Sequence, residues 1–187
     1  MTHAQLIRVR PAAATAAVVL TLAGCGGTSG VKPAAYVKSI CTAITSWRNE
    51  VQSSTAQFES TFPASGSLVV AKQRLGAFVA ALLRAATGGI TATRAASFPD
   101  VNGGQRIAVS LVRTFENAQR SLGGAASVAS LIPTTGNEAF AVAVGQVRTT
   151  IAGTLHGMNT VSPGTNPLLR SEIATQPACA ALRPPGG

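Results

Sequence analysis

The chain has 187 residues, with 15 Lys and Arg against 6 Asp and Glu, for a net charge of +9. That length suits one domain and is enough to bury a substantial core. The positive excess is scattered without a run of like charges, and Tyr36 and Trp47 are the sole Tyr and Trp. Nucleic-acid binding calls for a concentrated basic patch, often with stacking aromatics, so no nucleic-acid partner is expected.

Met1–Pro11 carries Arg8 and Arg10 and no acid, and Ala12–Leu22 is apolar apart from Thr15 and Thr21. A positive start, an apolar stretch of about ten residues and small residues at its end describe a secretory signal peptide. The stretch is short of the roughly twenty apolar residues that a transmembrane helix needs, and no other apolar run approaches that length. It closes on Leu22-Ala23-Gly24-Cys25, which resembles a bacterial lipobox. The resemblance implies cleavage before Cys25, a diacylglyceryl group on its sulfur and a lipoprotein held on the extracytoplasmic face of the cell membrane. Two or three acyl chains anchor firmly, because each buried methylene contributes about 0.8 kcal/mol. Residues 1–24 then form the removed leader, 25–33 the lipidated cysteine with a flexible tether, and 34–187 the folded domain.

With Cys25 assigned to lipid, Cys41 and Cys179 remain as an even pair in an exported chain, for which a disulfide is the default. The bridge joins the first helix to the end of the chain. Closing so long a loop removes up to about 5 kcal/mol of chain entropy from the unfolded state.

Pro33 fits the first turn of a helix. Val37, Ile40, Ile44, Trp47, Val51, Phe58 and Phe62 then fall on one helical stripe, which Phe62-Pro63 ends. Ser65 or Ser67 is placed to cap a second helix, whose stripe runs from Leu68 through Leu75, Val79 and Leu82 to Ala86. Gly88-Gly89 is expected to interrupt it. Ala95–Gly104 reads as the longest irregular connection. Ile107, Leu111, Phe115, Ala118, Leu122, Ala125, Ala129 and Ile132 keep one phase, so a third helix is expected to run through Gly123-Gly124, with two helices broken there as the alternative. Glu116 stands four residues before Arg120, a favourable pair on an exposed face.

Thr135-Gly136-Asn137-Glu138 matches a capping box. The fourth helix has its stripe at Phe140, Val144, Val147, Ile151, Leu155 and Met158. Gly145, Gly153 and Gly157 share another face, where a neighbouring helix is expected to come close; the alternative is that these small residues leave a groove. Pro163-Gly164 is a turn, and Asn166-Pro167 opens a short fifth helix that Pro177 stops. No segment alternates with period two. The expected fold is all-α: an antiparallel up-down-up-down four-helix bundle with a short C-terminal fifth helix.

Tyr36-Val37, Cys41 and Trp47, then Pro99-Asp100-Val101 before glycines, then Pro177-Ala178-Cys179 make the chain similar to a group of small exported proteins and lipoproteins of actinobacteria. The likeness spans roughly residues 34–182. It supports the fold and the cysteine pairing and implies no mechanism.

Little in the chain suggests catalysis. Past the leader there is one histidine, His156, and six carboxylates. No G-x-S-x-G, Glu-x-x-His pair or phosphate-binding glycine loop occurs. No enzyme activity, cofactor or metal site is expected. Trp47 falls on the core stripe, and Asp100 sits where turn chemistry explains it. The expected function is an interaction or structural module of the cell envelope; the alternative is a carrier holding an apolar ligand within the bundle. Arg106, Arg113 and Arg120 recur every seven residues, so they line one edge of the third helix. Its tether spans at most about 28 Å, which keeps that row near a membrane surface. Anionic lipids or cell-wall polymers are its expected contacts, and no protein partner is indicated.

Overall fold

A computed structural model describes residues 29–61, 66–159 and 166–183. The leader, Cys25, Phe62-Pro63, Ser65 and Pro163-Gly164 lie outside the described residues. The fold is all-α, with no strand among the described residues. Its elements are α1 (Pro33–Thr61), α2 (Leu68–Ala95), α3 (Gly104–Leu131), α4 (Asn137–Asn159) and α5 (Pro167–Thr175), followed by a 3-10 helix (Pro177–Leu182) that the spacing did not foretell.

The stripes are the buried faces. Val37, Ile40, Ile44 and Trp47 of α1 are buried, as are Leu75, Val79 and Leu82 of α2. So are Leu111, Phe115 and Leu122 of α3, and Val144, Val147 and Ile151 of α4. Each such side chain contributes about 1.5–3 kcal/mol when fully buried. They gather in two clusters. One joins the first half of α1 to Leu111, Phe115, Met158, Leu169 and the Cys41–Cys179 pair. The other joins Leu75, Val79 and Leu82 to Leu122, Phe140, Val144 and Ile151. Val51 and Leu155 border both.

Consecutive helices are joined along their length. At one end of the α1–α2 pair, Arg74 donates to the Thr61 carbonyl, and the Phe58 and Phe78 rings stack at 4.6 Å. At the other, Val31 N–H donates to Phe98 O at 2.9 Å, and Asp100 N–H donates to Val31 O at 2.8 Å. Between α2 and α3, Lys72 donates to Ile132 O at 2.9 Å and Arg94 pairs with Glu116 at 2.6 Å. Between α3 and α4 the Ser121 and Thr154 hydroxyls meet at 2.7 Å. Glu116 therefore reaches across to α2 rather than back to Arg120, which donates to Asn117 instead. Arg94 is the better-placed cation because α2 packs directly against this face of α3.

α2 lies between α1 and α3. A helix with neighbours on two sides is apolar around much of its circumference. Accordingly α2 alone among the described helices is long and apolar enough to cross a membrane, with a mean hydropathy of 1.5 in its most apolar stretch. The expectation that nothing beyond the leader approached that character missed it, because its apolar stripes face two partners and read as a scattered pattern.

α2 is unbroken at Gly88-Gly89. A Cβ on Gly89 would sit 2.3 Å from Phe115 Cε1. The glycine there is a seat for a ring on α3. Backbone hydrogen bonds continue through it, and the buried Thr93 hydroxyl donates to Gly89 O at 2.8 Å. α3 likewise runs through Gly123-Gly124. At its start Gly104 is required by a close approach: a Cβ there would fall 1.9 Å from Pro99 O.

Cap chemistry matched in part. Asn166 accepts from Leu168 N–H at 3.0 Å and opens α5. Ser67 occupies the N-cap of α2 without a side-chain cap bond. α4 begins at Asn137, and Gly136 O accepts from Phe140 N–H, so the cap falls on Gly136, one residue after Thr135.

Two neighbouring glycines now carry opposite expectations. Gly89→Ala should lower stability by about 1–3 kcal/mol, the usual cost of overpacking a filled core. Gly88→Ala, where a Cβ meets nothing within 4 Å, should raise it by about 1 kcal/mol through helix propensity. Urea midpoints of the two variants check the pair; equal shifts would mean that Phe115 does not seat on Gly89.

Candidate functional site

The expected site residues fall into three places. Cys25 lies outside the described residues. Cys41, early in α1, and Cys179, in the 3-10 helix, are at disulfide distance with Cα atoms 5.0 Å apart, and both are fully buried. Arg106, Arg113 and Arg120 are exposed along α3. Among the described residues neither Arg106 nor Arg113 has an ion-pair partner, and the carboxylate expected to neutralise part of the row is committed to Arg94.

Trp47 is 3% exposed and meets Phe115 edge-on, with centroids 6.2 Å apart and planes at 81°. It is core packing and offers no face to a ligand. His156 is exposed in the last turn of α4, where a cation suits the helix dipole. Asp100 is exposed, and its N–H serves the contact with Val31. Among the described residues no three of His, Cys, Asp and Glu gather as metal ligands.

The glycines of α4 do not admit a neighbouring helix. Gly145, Gly153 and Gly157 are exposed, and a Cβ on any of them meets nothing within 4 Å. Gly153 and Gly157 instead leave a gap beside α3. It forms an open groove of about 430 Å³, lined by Thr114, Asn117, Ser121, Thr149, Thr150 and Thr154 over an apolar floor of Ala118 and Met158. Two other grooves lie on the surface. One, about 510 Å³, lies between α2 and α3 beside Val69, Lys72 and Ala126. The other, about 410 Å³, lies between α1 and α2 beside Phe58, Arg74 and Arg84.

The groove corresponds to the less favoured reading of the α4 glycines, and its hydroxyl lining was not foreseen. Its lining comes from two different helices, and each Thr or Ser alone looks like an ordinary solvent-facing residue. The one available signal was the recurrence of hydroxyl residues beside the glycine face of the fourth helix.

Comparison with family models, with curated proteins and with solved structures returned no match.

Four buried side-chain atoms among the described residues have no hydrogen-bond partner: Tyr36 Oη, Thr45 Oγ1, Trp47 Nε1 and Arg48 Nε. Burial pushes the Tyr36 phenol up from 10.0 to about 12, because the phenolate loses its hydration. The folded state thus resists ionisation of Tyr36. That contribution to stability is complete below pH 10 and is lost as pH rises through about 12. Tyr36 is the single tyrosine, so phenolate absorbance reports it alone. In native protein the step should appear near pH 12 or at alkaline unfolding, and near pH 10 in urea. A native step near pH 10 would show the ring to be solvated.

Proposed function

We propose that the chain is a lipid-anchored protein of the extracytoplasmic cell envelope that acts by binding or by scaffolding, without catalysis. Cys25 is its anchor, with residues 1–24 removed and 25–33 serving as the tether. The four long helices are read as an antiparallel up-down-up-down bundle, with α5 and the 3-10 helix folded onto α1. The likeness to small exported actinobacterial lipoproteins belongs to the same reading.

The observation that carries it is the Leu22-Ala23-Gly24-Cys25 stretch after a basic, then apolar, leader. Two features of the folded part support it. Gly30-Val31, close to Cys25 in sequence, is held against the Phe98–Asp100 loop. That loop leads into α3, so Arg106 stands in the first turn after it, with Arg113 and Arg120 further along the helix. The row is the part of the surface that we assign to anionic lipids or wall polymers, each well-placed arginine adding about 1 kcal/mol at low salt. The carrier of an apolar ligand has less support, since the α3–α4 groove is edged by hydroxyls and the helix stripes are filled.

Metabolic labelling with a radioactive fatty acid tests the anchor. Wild-type protein should take the label and sediment with membranes. Cys25→Ala should take none, and should either persist as uncut precursor or wash from membranes in high salt. A Cys25→Ala protein that is processed and stays membrane-bound after the salt wash would overturn the reading.

A further inference from the structure

We infer that the groove between α3 and α4 is a binding site for a polyol phosphate, with Arg113 and Arg120 at its rim. Thr114 donates its hydroxyl proton to Ser110 O, Thr149 to Gly145 O, Thr150 to Gln146 O and Thr154 to Thr150 O, at 2.8–3.1 Å. Because Thr154 has spent its proton on the backbone, the 2.7 Å contact with Ser121 is a donation from Ser121. Every hydroxyl of the lining has therefore committed its one proton within the protein and keeps only lone pairs. These hydroxyls offer lone pairs to a ligand, and Asn117, whose Oδ1 accepts from Arg120, keeps the amide N–H groups of the lining for donation. A ligand that fits must supply the O–H groups itself, as a polyol does.

The rim has the opposite character. Asn117 stands four residues after Arg113 and three before Arg120, positions that share a helix face. Arg120 donates to Asn117 Oδ1, which holds its guanidinium at the groove edge. Guanidinium groups donate and never accept, and they suit phosphate. A ligand spanning wall and rim thus carries hydroxyls at one end and a phosphate at the other. The groove has room for a six-carbon polyol: it measures about 430 Å³, and Gly153 projects no side chain into it. Ala118 and Met158 give the ring carbons an apolar floor.

The inference deepens the reading above by naming the chemistry that the surface meets, and it does not depend on the anchor. Two sources share that chemistry: a free polyol phosphate and a phospholipid headgroup. Full chain purified from membranes in neutral detergent is titrated calorimetrically with inositol 1-phosphate, inositol, inorganic phosphate, and nanodiscs containing phosphatidylinositol or phosphatidylcholine. Saturable binding of inositol 1-phosphate is expected, at least tenfold tighter than that of either half alone. Binding confined to phosphatidylinositol discs would assign the headgroup as source and also support the site. Gly153→Leu fills the groove from an open, exposed position and should weaken binding at least tenfold. Thr150→Val removes one acceptor at constant shape, and Arg113→Gln with Arg120→Gln removes the rim charge; both should weaken it severalfold with the helical spectrum unchanged. No saturable binding, equal binding of phosphate alone or of phosphatidylcholine discs, or wild-type affinity in a folded Gly153→Leu protein would overturn the site. An anchored protein that binds none of these probes overturns the groove alone. A Cys25→Ala protein that leaves the membrane and still binds inositol 1-phosphate upholds it.

Discussion

The link between Cys41 and Cys179 is the constraint on which the rest of the body depends. α5 has nine residues and the 3-10 helix six. Segments so short do not hold a helical form alone. They persist because Cys179, Leu169 and Ile173 pack against the first half of α1, and because the covalent link closes a separation of 138 residues. In the chain-entropy account a loop of that length stabilises by up to about 5 kcal/mol. The same end carries the Val31 contact with Phe98 and Asp100, so it is tied three ways: by a disulfide, by backbone hydrogen bonds and by apolar packing.

In the same cluster the body also depends on a small residue. Phe115 is fully buried because Gly89 offers it bare backbone and Trp47 closes its edge. Three helices meet there, which makes one ring the joint between α1, α2 and α3. Gly153 and Gly157 of α4 act in the opposite sense, opening a groove instead of closing a contact. A glycine on a helix is thus read by what stands opposite it, and the two kinds differ here by whether a neighbouring side chain fills the missing Cβ.

That distinction explains what was legible in the sequence. The stripes of α1, α3 and α4 are local patterns with period 3.6, and they located the helices and their buried faces. Asn166-Pro167 located the start of α5 because its cap is completed two residues away. Gly88-Gly89 looked like an interruption because its meaning is set by Phe115, 26 residues further on. Glu116 was assigned to Arg120 because i+4 geometry is visible in a sequence and Arg94 across a helix interface is not. The 3-10 helix has no periodic stripe and depends on the cysteine link. The arginine row was visible as a seven-residue repeat, whereas the hydroxyl groove needs α3 and α4 side by side.

The account divides three cysteines between two tasks: Cys25 for a lipid, Cys41 and Cys179 for each other. Mass mapping of the chain extracted from its native membrane, alkylated without reductant, tests that division directly. The account predicts a peptide beginning at Cys25 that carries the mass of a diacylglyceryl group, and one linked pair joining the Cys41 and Cys179 peptides. An alkylated Cys41 or Cys179, or Cys25 found in any disulfide, would contradict it.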